Sequence, residues 1–418
     1  MAEEEIKKID FNECLSENKI VTVPNHIEVE NSTLNFKNIN FNRFSLESKK
    51  ISTSFKNEHS FNIEIDGDDF LKDIKAIMFI NCKFNQGFHC NYSLKYDLIF
   101  MESIIQEVNF FLVKEKSINK VLFIGNIIKK LSIVESNLNK FEINSQDMGT
   151  QLFHIETVKI HNSTFSNNFS FYNSIVKDIS IIDVDFEKNV RFIKSKFEKG
   201  IYSDDICFDN TNFKKLVILE KCEFKEKVIL NNVTFEGVGQ FRELEFKKGL
   251  DLDLVSSEKE MNFYDIRGLS NKKSIENTSQ ETYRILKYNC EKIGNIIESN
   301  KYHALELEKK KNNLSFYDLK NGIPFHINYV TSKFGTSWFT ALRWILYVGF
   351  ITNIWIHWDN FEFFLEHKYF LSMDILKYMS IIHLDELKKH PYIFIFNKVA
   401  LGYLYYQFII AVRKDTRK

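Results

Sequence analysis

The sequence predicts a mainly β chain: a solenoid of short stacked coils, then a helical hairpin and two membrane-spanning helices. Three observations predict it. Large apolar residues recur at spacings of five and six over residues 28–268. Only three prolines (Pro24, Pro324 and Pro391) occur, so the first three hundred residues almost lack the residue that breaks β ladders. Two apolar runs near the C-terminus, residues 338–356 and 391–412, are long enough to cross a bilayer as helices.

Residues 1–27 open MAEEEIKKIDF, which is acidic and has no apolar h-region. They read as an N-terminal segment or cap rather than a secretory signal. From residue 28 a six-residue pattern recurs: large apolar, any, polar, small, any, large apolar. It reads FINCKF from Phe79, IHNSTF from Ile160, FIKSKF from Phe192, and FDNTNF, LEKCEF, LNNVTF and FRELEF between Phe208 and Phe246. Phe213, Phe224, Phe235 and Phe246 are each eleven residues apart, and the step from Phe192 to Phe208 contains one further five-residue unit. A helix fails this pattern, because residues five apart lie about 140° apart around its axis. A long flat strand fails too, since spacing five inverts the face at each step. A coil with short sides satisfies it, each side sending one large residue and the small residue two positions earlier into a central core.

On these residues the chain resembles the pentapeptide-repeat family of right-handed quadrilateral β-helices. Cys82, Ser136, Ser163, Val184, Ser195, Thr211, Cys222 and Val233 hold the small inward position of that pattern. The family's preferred Ala-Asp/Asn-Leu triplet is rare here, and residues 44–75 and 139–158 do not scan. Those stretches read as loops or irregular coils.

Residues 269–323 form a linker and helical hairpin. Thr278 and Glu281 have capping-box spacing, and ETYRILKYNCEKIGNIIESNKYHALELEKKK carries an apolar helical stripe interrupted at Gly294–Asn295. A face of the hairpin is expected to close the end of the solenoid, because an open last coil is a sheet edge. Residues 324–418 form the membrane domain. Tryptophans 338, 344, 355 and 358 lie along or just beyond the first span, and Arg413-Lys414-Asp415-Thr416-Arg417-Lys418 follows the second. That basic tail predicts a cytoplasmic C-terminus, with both termini inside and the linking segment outside. The linking segment reads as an interfacial amphipathic helix in preference to a re-entrant one. The order of parts resembles a bacterial arrangement of degenerate repeats, an ETxRxLKxxxExxGN-type hairpin and two membrane helices. The terminal helices of such proteins bear a distant likeness to two-helix ion-channel pore modules. The resemblance implies a bacterial inner membrane.

Lysine plus arginine equals aspartate plus glutamate at 56 each, so no global field draws the chain to nucleic acid. The six cysteines form no CxxC pair, and the phosphate-loop, dinucleotide, zincin and nucleophile-elbow motifs are absent. No cofactor, metal or catalytic residue is expected. Cys82 and Cys222 read as buried structural thiols. The alternating charges of Glu220, Lys221, Glu223, Lys225, Glu226 and Lys227 read as a solvated face.

The candidate site residues are Arg343, Asn397, Lys398 and Gln407, polar groups inside otherwise apolar spans. Such groups are costly in lipid and commonly face a bundle interior or a watery path. Asn397 and Lys398 are expected either to line a small pore or pair across an oligomer, or, for Lys398, to snorkel; Arg343 lies close enough to the inner end to snorkel. The leading functional expectation is a non-enzymatic membrane-tethered scaffold that presents the solenoid to a protein partner. The alternative is an oligomeric channel-like or membrane-permeabilising effector of stress or phage defence, with the solenoid as sensor or assembly domain. An enzyme would need a pocket at residues 44–75 or 139–158.

Overall fold

The structure, a computed structural model, describes residues 27–30, 33–37, 40–47, 50–55, 63–66, 75–91, 97–113, 118–144, 153–314, 322–356, 374–382 and 390–416. The expected N-terminal segment lies outside these except for Ile27. The chain divides into two compact units, Met1–Thr282 and Tyr283–Lys418.

The first unit is a parallel β-solenoid of about eight turns. In its most regular part each coil lays four short strands. Val217–Glu220, Glu223–Phe224, Val228–Asn231 and Val233–Phe235 pair in parallel with Gly239–Arg242, Glu245–Phe246, Leu250–Asp251 and Val255–Ser257. Register partners such as Val217 and Gly239, or Phe224 and Phe246, lie one full coil apart. The eleven-residue phenylalanine spacing is therefore half a coil. Phe213 stacks on Phe235 at 5.1 Å and 11°, and Phe224 on Phe246 at 5.1 Å and 6°, while Phe213 and Phe224 belong to different columns. Parallel rings about 5 Å apart match the strand separation of about 4.8 Å, so the ladder itself sets the stacking.

The hexad has a local cause at each position. Its polar third residue takes a left-handed backbone at the corner: Asn162, Asp183, Lys194, Asn210, Lys221, Asn232 and Glu243 have φ between 47° and 56°. A β-branched residue is disfavoured there, and Asn and Asp are tolerated best. The small fourth residue points inward and returns a hydrogen bond to the carbonyl two residues back. Ser163 Oγ donates to His161 O at 2.7 Å, Ser136 Oγ to Val134 O at 2.8 Å and Ser195 Oγ to Ile193 O at 3.1 Å. The same oxygens accept main-chain N–H groups from the coil before, as Ser163 does from Ser136 N.

Three expectations change. The extra five residues after Phe197 are not another core side, because 201–205 form a surface bend between Lys196–Gly200 and Ile206–Phe213. Residues 44–75 fail the pattern because the chain leaves the coil: Lys50–Phe55 pairs antiparallel with Asn40–Glu47, and Ile63–Asp66 antiparallel with Lys50–Phe55. Within 139–158 the described residues stay in the stack, with Phe141, Ile143, Phe153, Ile155 and Val158 buried.

At the N-terminal end Ile27–Glu30 pairs antiparallel with Thr33–Lys37, which terminates one ladder. At the other end helix α1 (Lys272–Asn277) and the residues after it cover the last coil. Asn271 donates to Lys247 O, Asn277 to Lys248 O, and the side chains of Thr278 and Thr282 accept from Leu250 N and Leu252 N. Thr278 is thus the C-cap of α1. The N-cap of α2 (Gln280–Lys292) is Ser279, whose hydroxyl accepts from Thr282 N at 2.9 Å, in place of the expected Thr278–Glu281 box.

The second unit holds most of α2, α3 (Ile296–Asn313), α4 (Gly322–Ser332), α5 (Trp338–Ile356), α6 (Asp374–Met379) and α7 (Pro391–Thr416). Helices α2 and α3 are the expected hairpin, with the break at Gly294–Asn295. Two helices, α5 and α7 over Pro391–Lys414, are long and apolar enough to cross a membrane.

Phe224 is buried between Phe197 and Phe246. Phe224→Ala should lower stability by about 3–5 kcal/mol, read as thermal unfolding by circular dichroism. Phe224→Leu should cost much less, and equal losses would deny the stacked column its role.

Candidate functional site

Two of the four sequence-predicted residues meet at one place. Helix α6 ends against α7 and α5, and three successive carbonyls at its C-terminal end are taken by α7 side chains. Asn397 Nδ2 donates to Tyr378 O at 3.1 Å, Tyr405 Oη to Met379 O at 3.0 Å and Lys398 Nζ to Ser380 O at 2.8 Å. Asn397 Nδ2 also donates to Thr352 Oγ1 of α5 at 2.9 Å. The Asn397 side chain is fully buried, and its Oδ1 has no hydrogen-bond partner among the described residues. Met379 packs on Ile345, Leu401 and Leu404, the buried centre of the α5–α7 contact.

These contacts fix the level of α6 along α7. Asn397 and Tyr405 lie six and fourteen residues beyond Pro391, or about 9 and 21 Å along the helix. The end of α6 sits between those levels, midway along the helix pair. The segment between the two apolar helices returns to the helix pair at α6, and its residues 357–373 and 383–389, with most of its charges, lie outside the described residues.

Lys398 does not stand alone. Its ammonium caps the negative pole of α6 and lies 5.9 Å from the Phe394 ring centroid. Gln407 belongs elsewhere: its Oε1 accepts from Ser332 Oγ at 2.8 Å, both buried, at the end of α4. Arg343 is exposed on α5 and is not brought to either place. Thr352, buried Asn353 and Tyr405 were missed. The adjacent Thr352–Asn353 pair inside an apolar run was a readable signal for the first two. Tyr405 had none, since Tyr is common in spans.

A second charged cluster lies in the hairpin. Glu306 of α3 accepts from Lys287 Nζ at 2.9 Å and Arg284 Nε at 3.3 Å, with His303 Nδ1 at 3.5 Å. Burial pushes the Glu306 carboxyl up, but the hydrogen bonds and charges of Lys287 and Arg284 outweigh it and hold it below the usual range. Burial, then the Lys287 charge, holds His303 below the ordinary imidazole value.

In the solenoid the alternating charges pair from coil to coil. Glu223 meets Lys196 at 2.8 Å and also Lys247, Lys227 meets Asp251 at 3.0 Å, and Lys225 and Glu226 pair with Glu198 and Lys248. Cys82 and Cys222 are buried, and burial pushes the Cys222 thiol up to about 12. Among the described residues no group of three or more His, Cys, Asp or Glu is placed to hold a metal.

Two outcomes follow from this geometry. Asn397→Leu leaves Tyr378 O and Thr352 Oγ1 without their buried donor. It should cost about 1–3 kcal/mol and open α6 to limited proteolysis in detergent, whereas Val399→Leu should do neither. For the hairpin, both folded pKa values lie below the unfolded ones, so the unfolded chain binds more protons in acid. Stability should fall first as pH drops below the ordinary His value of 6.5 and again below the ordinary Glu value of 4.5, as Glu306 protonates. Hydrogen exchange of α2 and α3 amides reads both steps, and Glu306→Gln should remove the second.

No family model, curated protein or solved structure matches the chain.

Proposed function

We propose that the chain is a channel-like membrane protein whose α5, α6 and α7 build an ion path when several copies assemble. The observation that carries this reading is the end of α6, pinned midway along two membrane-length helices by Asn397, Lys398 and Tyr405. Irregular backbone at membrane depth persists only where protein buries it or where it lines water. A short helix that enters the bilayer and directs its carbonyl pole to mid-depth is a costly arrangement without a use there. Two helices and a re-entrant turn cannot enclose a path alone, so the reading needs an oligomer.

On this reading the membrane is the inner membrane of a bacterium, with both termini and the solenoid in the cytoplasm. The basic residues Arg413 and Lys414 that end α7 support that orientation. The solenoid, read as a right-handed quadrilateral β-helix of degenerate pentapeptide repeats, is its assembly or sensing domain. A rigid rod with self-paired charges suits that role better than substrate binding does.

The scaffold reading keeps one specific observation in its favour. Ile104 and Ile127 are register neighbours and both exposed, as is Phe111 at the far end of the same strand pair. The charge-paired C-terminal coils have no such patch between paired strands. A protein docking there is compatible with a sensing rod.

Purified full-length protein in liposomes under a KCl gradient should dissipate that gradient. Lys398→Leu should cut the flux at least tenfold while carbonate-resistant insertion is kept, and Lys398→Arg should recover part of it. Absence of flux from the unaltered chain would sink the pore reading. Recovery of one specific partner through Ile127, lost on Ile127→Asp, would then favour the scaffold.

A further inference from the structure

We propose that the helical unit binds the phosphate of an anionic phospholipid where α7 ends, between lysines contributed by α3, the α4–α5 turn and α7. The proposal shares with the pore reading only the placement of α5 and α7 in a membrane.

The turn is the fixed point of the site. Lys333, Phe334 and Gly335 take φ of 49°, 58° and 73° in succession. A bulky residue such as phenylalanine is rarely left-handed, and the conformation persists only where its surroundings impose it. Phe334 is buried, and its ring lies 6.2 Å from that of Phe325 and 5.6 Å from that of Tyr329, both on α4. A Cβ on Gly335 would come within 2.9 Å of Ile410 Cγ2, so the turn is pressed against α7. In this conformation Phe334 O accepts from Lys414 Nζ of α7 at 3.3 Å.

Cations converge on these rings from three elements. Lys310 Nζ of α3 lies 5.0 Å from the Phe325 ring centroid, and Lys311 Nζ lies 3.6 Å from that of Tyr329. Lys333 belongs to the turn itself, and Arg413 and Lys414 end α7. Among the described residues the hydrogen-bond and ring partners of these side chains are the two rings and the Phe334 carbonyl, with no carboxylate. The carboxylate in contact with the cluster, Glu308, accepts instead from Tyr329 Oη at 3.1 Å. In the solenoid, by contrast, Lys196, Lys214, Lys225, Lys227 and Lys248 each meet a carboxylate. A ring face or a carbonyl engages one side of an ammonium and leaves its other N–H groups to a second acceptor.

The occupant follows from charge and from level. Lys310, Lys311, Lys333, Arg413 and Lys414 stand against Glu308, so the missing partner is an anion. The turn leads directly into α5 at Trp338, and α7 ends beside it, so both apolar helices finish at the level of the cluster. Trp338, 6.4 Å from the Phe408 ring, and Trp344, which donates Nε1 to Val330 O at 2.9 Å, are placed as interfacial aromatics are. Phospholipid phosphates lie at that level, and basic residues next to a span draw anionic lipids to it. Arg343, five residues along α5 from Trp338, reaches towards the same layer by extending its side chain.

The full-length protein in a zwitterionic detergent, titrated with lipid and followed by native mass spectrometry, tests the site. Phosphatidylglycerol should bind at least about fivefold tighter than phosphatidylcholine of the same chain length, the gain expected from one engaged lysine. Raised salt during the titration should shrink the difference. Lys311→Gln together with Lys414→Gln should abolish the preference, and Lys311→Arg together with Lys414→Arg should keep it. Lys177→Gln together with Lys273→Gln removes the same charge from exposed positions of the first unit and should leave the preference intact. Circular dichroism of each variant reads helix content, which should not change.

Equal affinity for the two lipids overturns the proposal, and so does a preference that survives the double glutamine variant. Loss of the preference in the arginine variant as well would trace it to packing and not to charge, and also overturns it. Glycerol phosphate supplies the phosphate without the acyl chains. If it displaces phosphatidylglycerol completely, the site takes a soluble phosphate and the lipid assignment falls. Lipid preference without ion flux in liposomes rejects the pore reading and leaves the lipid site standing. Flux without lipid preference does the reverse.

Discussion

At several corners of the solenoid the main-chain N–H of the inward residue pairs with a side-chain oxygen of the next coil in place of a ladder carbonyl, and the stacking of the first unit depends on how the corners are built. The solution uses two adjacent residues. One turns the chain by adopting a left-handed backbone, and the next sends a small side chain inward. Where that side chain is Ser or Thr, its hydroxyl donates to a carbonyl two residues back, as in Ser163 to His161 and Thr211 to Asp209. Cys222 does the same through sulfur at 3.5 Å. Val184, Val233 and Leu244 take the same inward position as buried apolar residues, so the hydroxyl adds to the corner and is not a condition of it. The corner therefore fixes the distance from one side to the next, which is the five- and six-residue rhythm.

Once corners recur at that rhythm, stacking becomes a consequence. Like residues fall above like residues: Phe165, Phe186, Phe213 and Phe235 form one column, each ring 5.1–5.2 Å from the next. The same register acts on the outside, where Lys196 falls on Glu223 and Glu223 reaches diagonally to Lys247, past its register neighbour Glu245. Each such pair is worth little alone because it is half-exposed. Earlier coils use apolar residues at the corresponding outer positions, as Ile104 beside Ile127, and leave them uncovered.

How much of this is legible in the sequence follows from where the information lies. The repeat is legible because each side spends one large and one small residue on the core, and both are identifiable by type. That eleven residues make half a coil is not legible, because the two halves use the same residue types. The 201–205 bend scanned as a repeat unit for the same reason. The cap at Ser279 was displaced by one residue because Thr278 also has a cap's chemistry and uses it on Leu250 N. In the helical unit Asn397 and Lys398 could be singled out as polar residues inside apolar runs. Their partners could not, being main-chain carbonyls of Tyr378 and Ser380, which carry no residue signature. Arg343 and Gln407 met the same criterion and lie apart from the site, since the criterion says that a group needs a partner but not which one.

The two units differ in how complete they are. In the first unit antiparallel strands and α1 cover ladder ends, the corners satisfy themselves, and the charges pair within the stack. The second unit pairs the carbonyls at the end of α6 with α7 side chains but leaves Asn397 Oδ1 without a partner among the described residues. Its tip combines exposed isoleucines with irregular backbone, midway along helices long enough to span a bilayer. Moving α6 away from α7 would strip Tyr378, Met379 and Ser380 of three side-chain donors and leave the Lys398 ammonium without the carbonyl pole it now caps. The helix is thus held in place by the side chains of α7 and α5 that lie behind it.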